Sequence, residues 1–143
     1  MRHEVQNMLS LAIPSRSVNE SFARSAVSAF AAQLDPTVGE LTDLRTVVSE
    51  AVTNCIVHAY RDTVGIITIT VKIYEDRRLR ITVRDKGCGI PDVGQAMQPL
   101  FTTDPGGERG GMGFTIMDSF TDSLRVKSSP GRGTTVTMIK KLS

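Results

Sequence analysis

The most informative segment of the chain reads VVSEAVTNCIVHA, from Val47 to Ala59. Its polar residues Glu50, Asn54 and His58 recur every four positions. Because a step of four residues advances about 40° around an α-helix, the three side chains are expected to share one stripe. Taken alone, the pattern is more typical of a solvated helix face than of a functional site.

The helix that carries this stripe is predicted to start after a capping box and to continue to about Ala59. Thr37 and Glu40 have the required spacing, in which each side chain bonds the backbone N–H of the other residue. The apolar residues lie elsewhere around the helix and predict its buried face: Leu41, Leu44, Val48, Ala51, Val52, Cys55 and Ala59.

The N-terminal region is predicted to form a strand followed by a helix. Alternation over residues 9–13 predicts the strand, which Pro14 ends. Ser17 and Glu20 repeat the capping-box spacing and predict the start of the helix. Its apolar face is predicted to be Phe22, Ala26, Phe30 and Leu34.

After residue 65 the apolar period changes from helical to two, which is typical of strands. Two strands, over residues 67–73 and 79–83, predict an antiparallel hairpin, and a Gly- and Pro-rich stretch follows over 85–113. The remaining elements predicted are a short helix over 93–97, a helix over 114–120, and strands over 123–128 and 134–140. This order predicts one α/β (α+β) domain over residues 1–143, a two-layer sandwich whose mixed, mostly antiparallel sheet has helices on one face.

Composition narrows the possible function classes. The chain has 143 residues, a formal net charge of +2 and no basic run longer than a pair, so direct nucleic-acid binding is not expected. No apolar run approaches the roughly 18 residues of a membrane span, and the N-terminus lacks a signal-peptide pattern. The two cysteines, Cys55 and Cys88, lack metal-site spacing and fit a reducing environment. We therefore expect a cytoplasmic protein that does not contact membranes.

Three glycine clusters follow the stripe along the chain. Residues 85–91, DKGCGIP, come directly after a strand, where glycines allow close approach of a flat ligand and Asp85 offers a hydrogen-bond acceptor. Residues 110–113, GGMG, precede a helix whose free N–H groups suit phosphate. Residues 131–135, GRGTT, lead into the last strand. Taken alone, the first cluster is as typical of a strand-ending turn as of a binding site, the second is more typical of a flexible loop, and the third is a hairpin turn.

Together, in this order and on these elements, the stripe and the glycine clusters resemble the N, G1 and G2 boxes and the final G-T element of the GHKL superfamily. That superfamily includes histidine kinases, type II topoisomerases and heat-shock protein 90. The resemblance implies the Bergerat fold, with ATP or ADP and Mg²⁺ as cofactors. It implies that Asp85 accepts the adenine amine, that Asn54 holds Mg²⁺, and that residues 100–113 form a lid over the phosphates.

A closer resemblance links nearly the whole chain to the anti-sigma factor serine kinases of spore-forming bacteria. It rests on VSEAVTN (48–54), PLFTT (99–103), ERGGMGFTIM (108–117) and ESFAR (20–24). The family pattern has Lys and Ser where this chain has Asp104 and Gly110. The nucleotide-binding residues that the resemblance implies are Asn54, His58, Asp85, Gly87, Gly89, Thr102, Arg109, Gly110, Gly111, Met112, Gly113 and Thr134.

The same resemblance implies two activities. One is sequestration of a sporulation sigma factor of the sigma F type, and the other is phosphorylation of a serine on its anti-anti-sigma antagonist. Glu50 is the implied catalytic base, and Arg24 the implied partner contact. Residues 1–35 are expected to contact partners and to form a homodimer. Alternatives from other classes are an ATP-switched binding module without chemistry, a stress-response anti-sigma kinase and the catalytic half of a histidine kinase.

Overall fold

The computed structural model describes residues 4–97 and 113–143. In chain order its elements are β1 (Val5–Pro14), α1 (Val18–Ala31), a 3₁₀ turn (Ala32–Leu34), α2 (Val38–Asn54), a π-helical turn (Cys55–Ala59), β2 (Ile66–Tyr74), β3 (Arg78–Asp85), α3 (Val93–Ala96), α4 (Gly113–Ser119), β4 (Ser123–Ser129) and β5 (Gly133–Lys141). Every helix and strand expected from the sequence is present, and β1 is longer at its N-terminal end than its alternation predicted. No described helix is long and apolar enough to cross a membrane.

The strands form one sheet in the order β1-β2-β3-β5-β4. All four neighbouring pairs are antiparallel, so the sheet is antiparallel throughout, whereas the sequence led us to expect a mixed, mostly antiparallel sheet. Two of the pairs, β2–β3 and β4–β5, are consecutive hairpins, for which antiparallel pairing is the short connection. The register is continuous from β2 to β4, and Thr68, Arg84, Thr135 and Lys127 form one row across it.

The helices cover one face of the sheet, which gives the predicted two-layer sandwich. Alternate strand side chains face the helices and are almost fully buried, and the intervening residues face away from them. The fully buried strand residues are Ile67, Ile69, Val71, Ile73, Leu79, Ile81, Val83 and Met138. They pack with α1, α2 and α4 in a single hydrophobic core.

Helix α2 begins at the predicted capping box. Glu40 N–H donates to Thr37 Oγ1 at 3.1 Å, and Thr37 N–H donates to Glu40 Oε1 at 2.9 Å. The predicted apolar face is confirmed at Leu44, Val48, Ala51, Val52 and Cys55, all of which are buried. This helix therefore lies over the centre of the sheet and brings its polar stripe to the edge of the core.

One expectation about α1 is wrong, and another is confirmed only in part. Ser17 is helical, with φ −58° and ψ −32°, and makes no side-chain cap, because Glu20 bonds the Ser49 hydroxyl on α2 instead. The fully buried face is formed by Ala23, Val27 and Ala31, one position round from the predicted stripe. Of that stripe, Phe22 is 54% exposed, whereas Phe30 and Leu34 are partly buried against the core. Small residues permit the close α1–α2 contact that phenylalanine would obstruct.

Candidate functional site

A cavity of about 360 Å³ opens between α2, the loop after β3, and the start of α4. It gathers residues that are far apart in sequence. Six of the residues assigned from the sequence line it: Asn54, His58, Asp85, Gly89, Gly113 and Thr134. These residues belong to four separate motifs: the polar stripe of α2, the glycine loop that begins at the end of β3, the start of α4, and β5.

Asp85 lies at the end of β3 and is 6% exposed. Its Oδ1 accepts backbone N–H bonds from Gly87 at 2.9 Å and from Thr134 at 3.2 Å. The Cys55 thiol donates to Oδ2 at 3.5 Å. Two backbone donors thus fix the carboxylate in the cavity wall, and Oδ2 retains capacity to accept a further hydrogen bond from a ligand.

The glycines after β3 and before β5 are required by close backbone contacts. A Cβ at Gly87 would lie 2.4 Å from the Ala59 carbonyl oxygen, and one at Gly133 would lie 2.2 Å from that of Asp85. Gly89 has φ +77° and would meet the Ser129 oxygen at 2.2 Å. The predicted close approach at these glycines is therefore to the protein's own backbone, which holds the loop that carries Asp85.

A hydrogen-bond network ties that loop to the β4–β5 hairpin. Gly131 N–H donates to the Cys88 carbonyl at 2.7 Å, and Ile90 N–H donates to Ser128 Oγ at 2.7 Å. Ser128 Oγ also lies 2.8 Å from Thr134 Oγ1. The GRGTT segment, which alone resembled an ordinary turn, therefore supports the cavity floor.

At the opposite end of the cavity, Glu50 and Asn54 lie beside the first residue of α4. A Cβ at Gly113 would come within 3.3 Å of both Asn54 side-chain atoms and of Glu50 Oε2. Glu50 is 6% exposed, which contradicts the solvated-face interpretation of the stripe. A glycine at this position leaves room beside both side chains, of which Asn54 lines the cavity and Glu50 is buried next to it.

His58 reaches the cavity through a departure from α-helical geometry. Residues Cys55–Ala59 form a π-helical turn, closed by a bond of 3.0 Å from Tyr60 N–H to the Cys55 carbonyl. Such single π turns occur often at functional sites. The Ala59 carbonyl then accepts from Cys88 N–H at 3.1 Å, which joins the end of this turn to the glycine loop.

Burial and the negative charge of Asp85 act on its neighbours. Burial raises the pKa of the Cys55 thiol well above its usual value, and the Asp85 carboxylate adds to the increase. Burial also raises the pKa of Tyr60, whose hydroxyl accepts from Lys86 N–H at 2.7 Å and donates to the Ile66 carbonyl at 2.8 Å. Both groups are therefore neutral donors beside the carboxylate at neutral pH.

Not every sequence-assigned residue meets at this site. Gly87 supports the loop without lining the cavity, and Arg24 lies on α1, where its Nη2 is 3.7 Å from Glu20 Oε2. Most of the predicted lid lies outside the described residues, together with Thr102, Arg109, Gly110, Gly111 and Met112. Their roles stay predictions.

Several cavity residues were not assigned from the sequence. Ala51, Cys55, Ile90, Ala96, Phe114 and Val136 supply apolar walls, and Arg61, Asp92 and Gln95 supply polar ones. The apolar members belong to ordinary core patterns, so no local signal separates them from the rest of the core. Arg61 lies two residues after the π turn, and its cationic side chain close to the polar stripe in sequence was the one available signal.

Residues 13–140 match the family model described as a histidine kinase-like ATPase domain. A relative from Caldanaerobacter subterraneus subsp. tengcongensis, named anti-sigma F factor, is 58% identical over 96% of this chain and 95% of its own length. The chain belongs to the anti-sigma F factor family of histidine kinase-like ATPase domains. A Geobacillus kaustophilus relative with the same name is 55% identical over 97% of this chain and 95% of its own length.

More distant solved structures share the fold of this anti-sigma F factor family member. The RsbU and RsbW domains of Rv1364c from Mycobacterium tuberculosis match with a TM-score of 0.70 at 18% identity, over 96% of this chain and 33% of that one. Full-length ShkA in complex with AMPPNP matches with a TM-score of 0.60 at 18% identity, over 92% of this chain and 31% of that one. At these identities the likeness concerns the fold alone.

Proposed function

We propose that the protein is an ATP-dependent anti-sigma factor and protein serine kinase. It binds and inhibits a sporulation sigma factor of the sigma F type, and it phosphorylates a serine of the anti-anti-sigma antagonist. The observation that carries the proposal is the convergence of Asp85 and Asn54 on one cavity, with Glu50 buried beside Asn54. The 58% identity to a relative named anti-sigma F factor selects the partners.

The cavity suits an adenine nucleotide. Its volume, about 360 Å³, falls within the range of small-ligand pockets, roughly 300–1,000 Å³. Asp85 offers an ionised acceptor, and adenine offers its exocyclic amine as a donor, whereas guanine has an acceptor at that position. Apolar side chains such as Ile90 and Val136 provide walls against which a flat base packs.

The phosphates and Mg²⁺ belong at the Asn54 end of the cavity. In the described part of the chain no cluster of three or more His, Cys, Asp or Glu side chains could hold a metal by itself. Mg²⁺ commonly keeps waters and takes few protein ligands beside substrate phosphates. The Asn54 amide oxygen is the protein ligand that this arrangement supplies.

When bound, ATP supplies the phosphoryl group and Mg²⁺ neutralises its charge. Glu50 lies one turn before Asn54 and shares the space in front of Gly113 with it. There its carboxylate accepts the proton of the incoming serine hydroxyl, a contribution worth about 10²–10⁴-fold in rate. Asn54 and Glu50 are on one helix, so their relative positions are set by α2.

Partner contacts are assigned to residues 1–35. Phe22 and Val18 are 54% and 74% exposed on α1, and β1 is an edge strand without a charged residue over its ten positions. An apolar edge strand is a template for association with another chain. These features support a partner surface and a homodimer interface in this region, in a protein that acts in the cytoplasm with its sigma factor.

Label transfer from γ-labelled ATP tests the function. The protein is mixed with a candidate anti-anti-sigma protein from the same organism, and the labelled amino acid is identified. Serine label is expected, with a loss of at least about 100-fold in Glu50→Gln. Glu40→Gln is the matched control, because it makes the same change on the same helix and Gln also serves in a capping box.

Other outcomes would contradict the proposal in distinct ways. Label on a histidine would indicate a histidine kinase. ATP-dependent binding of the sigma factor without any label transfer would indicate a switched binding module. Equal losses in Glu50→Gln and Glu40→Gln would remove Glu50 from the reaction.

A further inference from the structure

The charges of this protein are strongly segregated between the strands and the rest of the chain. The five strands contain eight of the 17 Lys and Arg residues but only one of the 15 Asp and Glu residues, which gives the strands a net charge of +7. That acid is Asp85, which faces the cavity. The overall charge of only +2 conceals this segregation.

Seven of the eight basic residues point to the face of the sheet opposite the helices. Strand alternation places them there: Lys72, Arg78, Arg80, Arg84, Arg125, Lys127 and Lys141. We call these seven residues the basic face. The eighth, Lys140, points to the helix side and lies 3.4 Å from Asp43 on α2. No outward position on the five described strands holds an acid.

Folding does not account for this arrangement. Lys72 lies directly opposite Arg80 across β2 and β3, and Arg78 lies opposite Lys141 across β3 and β5. Like charges directly opposite each other destabilise a sheet. Among residues 4–97 and 113–143, Arg78 is the one member of the basic face that forms an ion pair, at 2.6 Å from Asp76.

We propose that the basic face is a docking surface for a protein segment rich in Asp and Glu. Arg84 and Lys127 share one row, and Arg125 lies in a row further along the sheet. Strand spacing places such charges roughly 5–10 Å apart, a separation that neighbouring carboxylates on an extended or helical acidic segment can match. Arginine binds carboxylates bidentately, and the central row of Thr70, Thr82 and Thr137 offers hydroxyl groups between the charges.

The surface chemistry favours an acidic protein over single-stranded nucleic acid and over a second copy of this chain. Single-stranded nucleic acids are held by aromatic side chains on which bases stack, and the outward positions of the described strands offer only Tyr74, at the end of β2. A second copy of this chain packed face to face would oppose positive charge with positive charge.

The experiment measures the anisotropy of fluorescein-labelled poly-L-glutamate on titration with the full chain. Oligothymidylate of the same length and phosphatidylserine vesicles are tested in parallel. Binding of polyglutamate is expected and should weaken as salt rises, because exposed charges are screened beyond about 10 Å at 0.1 M salt. Arg80→Glu with Arg125→Glu should weaken it at least about tenfold, since both side chains are exposed and neither lines the cavity.

Controls separate the surface from net charge and from folding. Arg16→Glu with Arg132→Glu makes the same charge change at exposed positions off the basic face and should weaken binding by about twofold or less. Arg80→Thr with Arg125→Thr removes the two positive charges without adding negative ones, and Thr is already frequent on this face. This variant should lose less polyglutamate affinity than the Arg80→Glu with Arg125→Glu variant. ATP affinity should be the same in the wild type and in both Arg80/Arg125 variants, whose substituted positions lie away from the cavity.

Four results would overturn the proposal. They are the absence of polyglutamate binding by the wild type, an equal loss in the Arg16/Arg132 control, tighter binding of oligothymidylate or vesicles than of polyglutamate, and loss of self-association in the Arg80/Arg125 variants by sedimentation. The last would assign the basic face to an interface between copies. None of these results depends on kinase activity, so they test the docking surface independently of the proposed function.

Discussion

Replacing Asp85 with Asn reverses the hydrogen-bonding polarity of one atom in the cavity without changing the size of the side chain. In the wild type, Oδ1 accepts from the backbone N–H groups of Gly87, at 2.9 Å, and Thr134, at 3.2 Å. In the variant, the side-chain amide oxygen is held at that position, because the alternative orientation would oppose an NH₂ group to two N–H donors. The NH₂ group then replaces Oδ2, where the Cys55 thiol donates in the wild type.

The size of the effect follows from that replacement. The adenine amine loses an ionised acceptor and meets a donor instead, which costs about 1–3 kcal/mol. ATP binding should therefore weaken by roughly 5- to 150-fold. Guanine presents an acceptor at the same position, so the wild type should prefer ATP over GTP by at least about 5-fold. In Asp85→Asn the ratio of ATP affinity to GTP affinity should be smaller than in the wild type.

Calorimetric titration of the wild type and the variant with ATP and GTP measures both quantities. Asp92→Asn is the matched control, because Asp92 also lines the cavity and its Oδ1 accepts from Gln95 N–H at 3.0 Å as the cap of α3. Asn caps a helix as well as Asp does, so this variant should fold and bind ATP like the wild type. Unchanged ATP affinity in a folded Asp85→Asn protein, or an equal loss in Asp92→Asn, would refute the assigned role of Asp85.

Replacing Asn54 with Ala should abolish the Mg²⁺ dependence of ATP binding while keeping the fold, since Ala favours helix. Calorimetric titration with ATP, with and without Mg²⁺, measures that dependence, and its persistence in the variant would exclude Asn54 as the Mg²⁺ ligand. Arg24→Ala should weaken binding of the sigma factor or its antagonist by about 1–3 kcal/mol and leave ATP affinity unchanged, because Arg24 lies on α1 beside Glu20. Unchanged affinity for both partners in parallel titrations would show that Arg24 has a structural role only. Because the folded Cys55 thiol stays protonated while the unfolded one ionises above pH 9.0, its contribution to stability is full below that pH and is lost as the pH rises further. In denaturant titrations at each pH, the wild-type free energy of unfolding should thus fall more steeply above pH 9.0 than that of Cys55→Ala, by up to about 1.4 kcal/mol per pH unit. Cys88→Ala, which removes an exposed thiol, is the control. The same dependence of unfolding free energy on pH in all three proteins would contradict the role of Cys55.

Local patterns sufficed for the secondary structure and for much of the cavity. Alternation in β2 and β3 and the capping box at Thr37 and Glu40 act over a few residues, so they are visible without knowledge of the fold. The spacing of Glu50, Asn54 and His58 placed the polar stripe, and the glycines around Asp85 marked the loop beside it. The resemblance of these motifs to a family supplied the nucleotide, which no single motif did.

Features that depend on contacts between distant segments needed the tertiary structure. Glu20 bonds Ser49 rather than capping α1, and α1 turns its small residues, rather than Phe22, towards α2. Both outcomes reflect the fit between two helices, which spacing within one helix does not encode. The assignment of Gly87 and Gly133 to close backbone contacts likewise required knowing which strands are neighbours.

The distribution of charge is the clearest example of a feature that only the tertiary structure determines. Along the sequence the basic residues of β2, β3 and β4 occur singly or in pairs, which gave no reason to expect a charged surface. The sheet places β5 between β3 and β4, and in β3 and β4 the basic residues occupy alternate positions of the same face. Scattered charges thereby become one surface, because sheet order and register, rather than sequence distance, determine which side chains are neighbours.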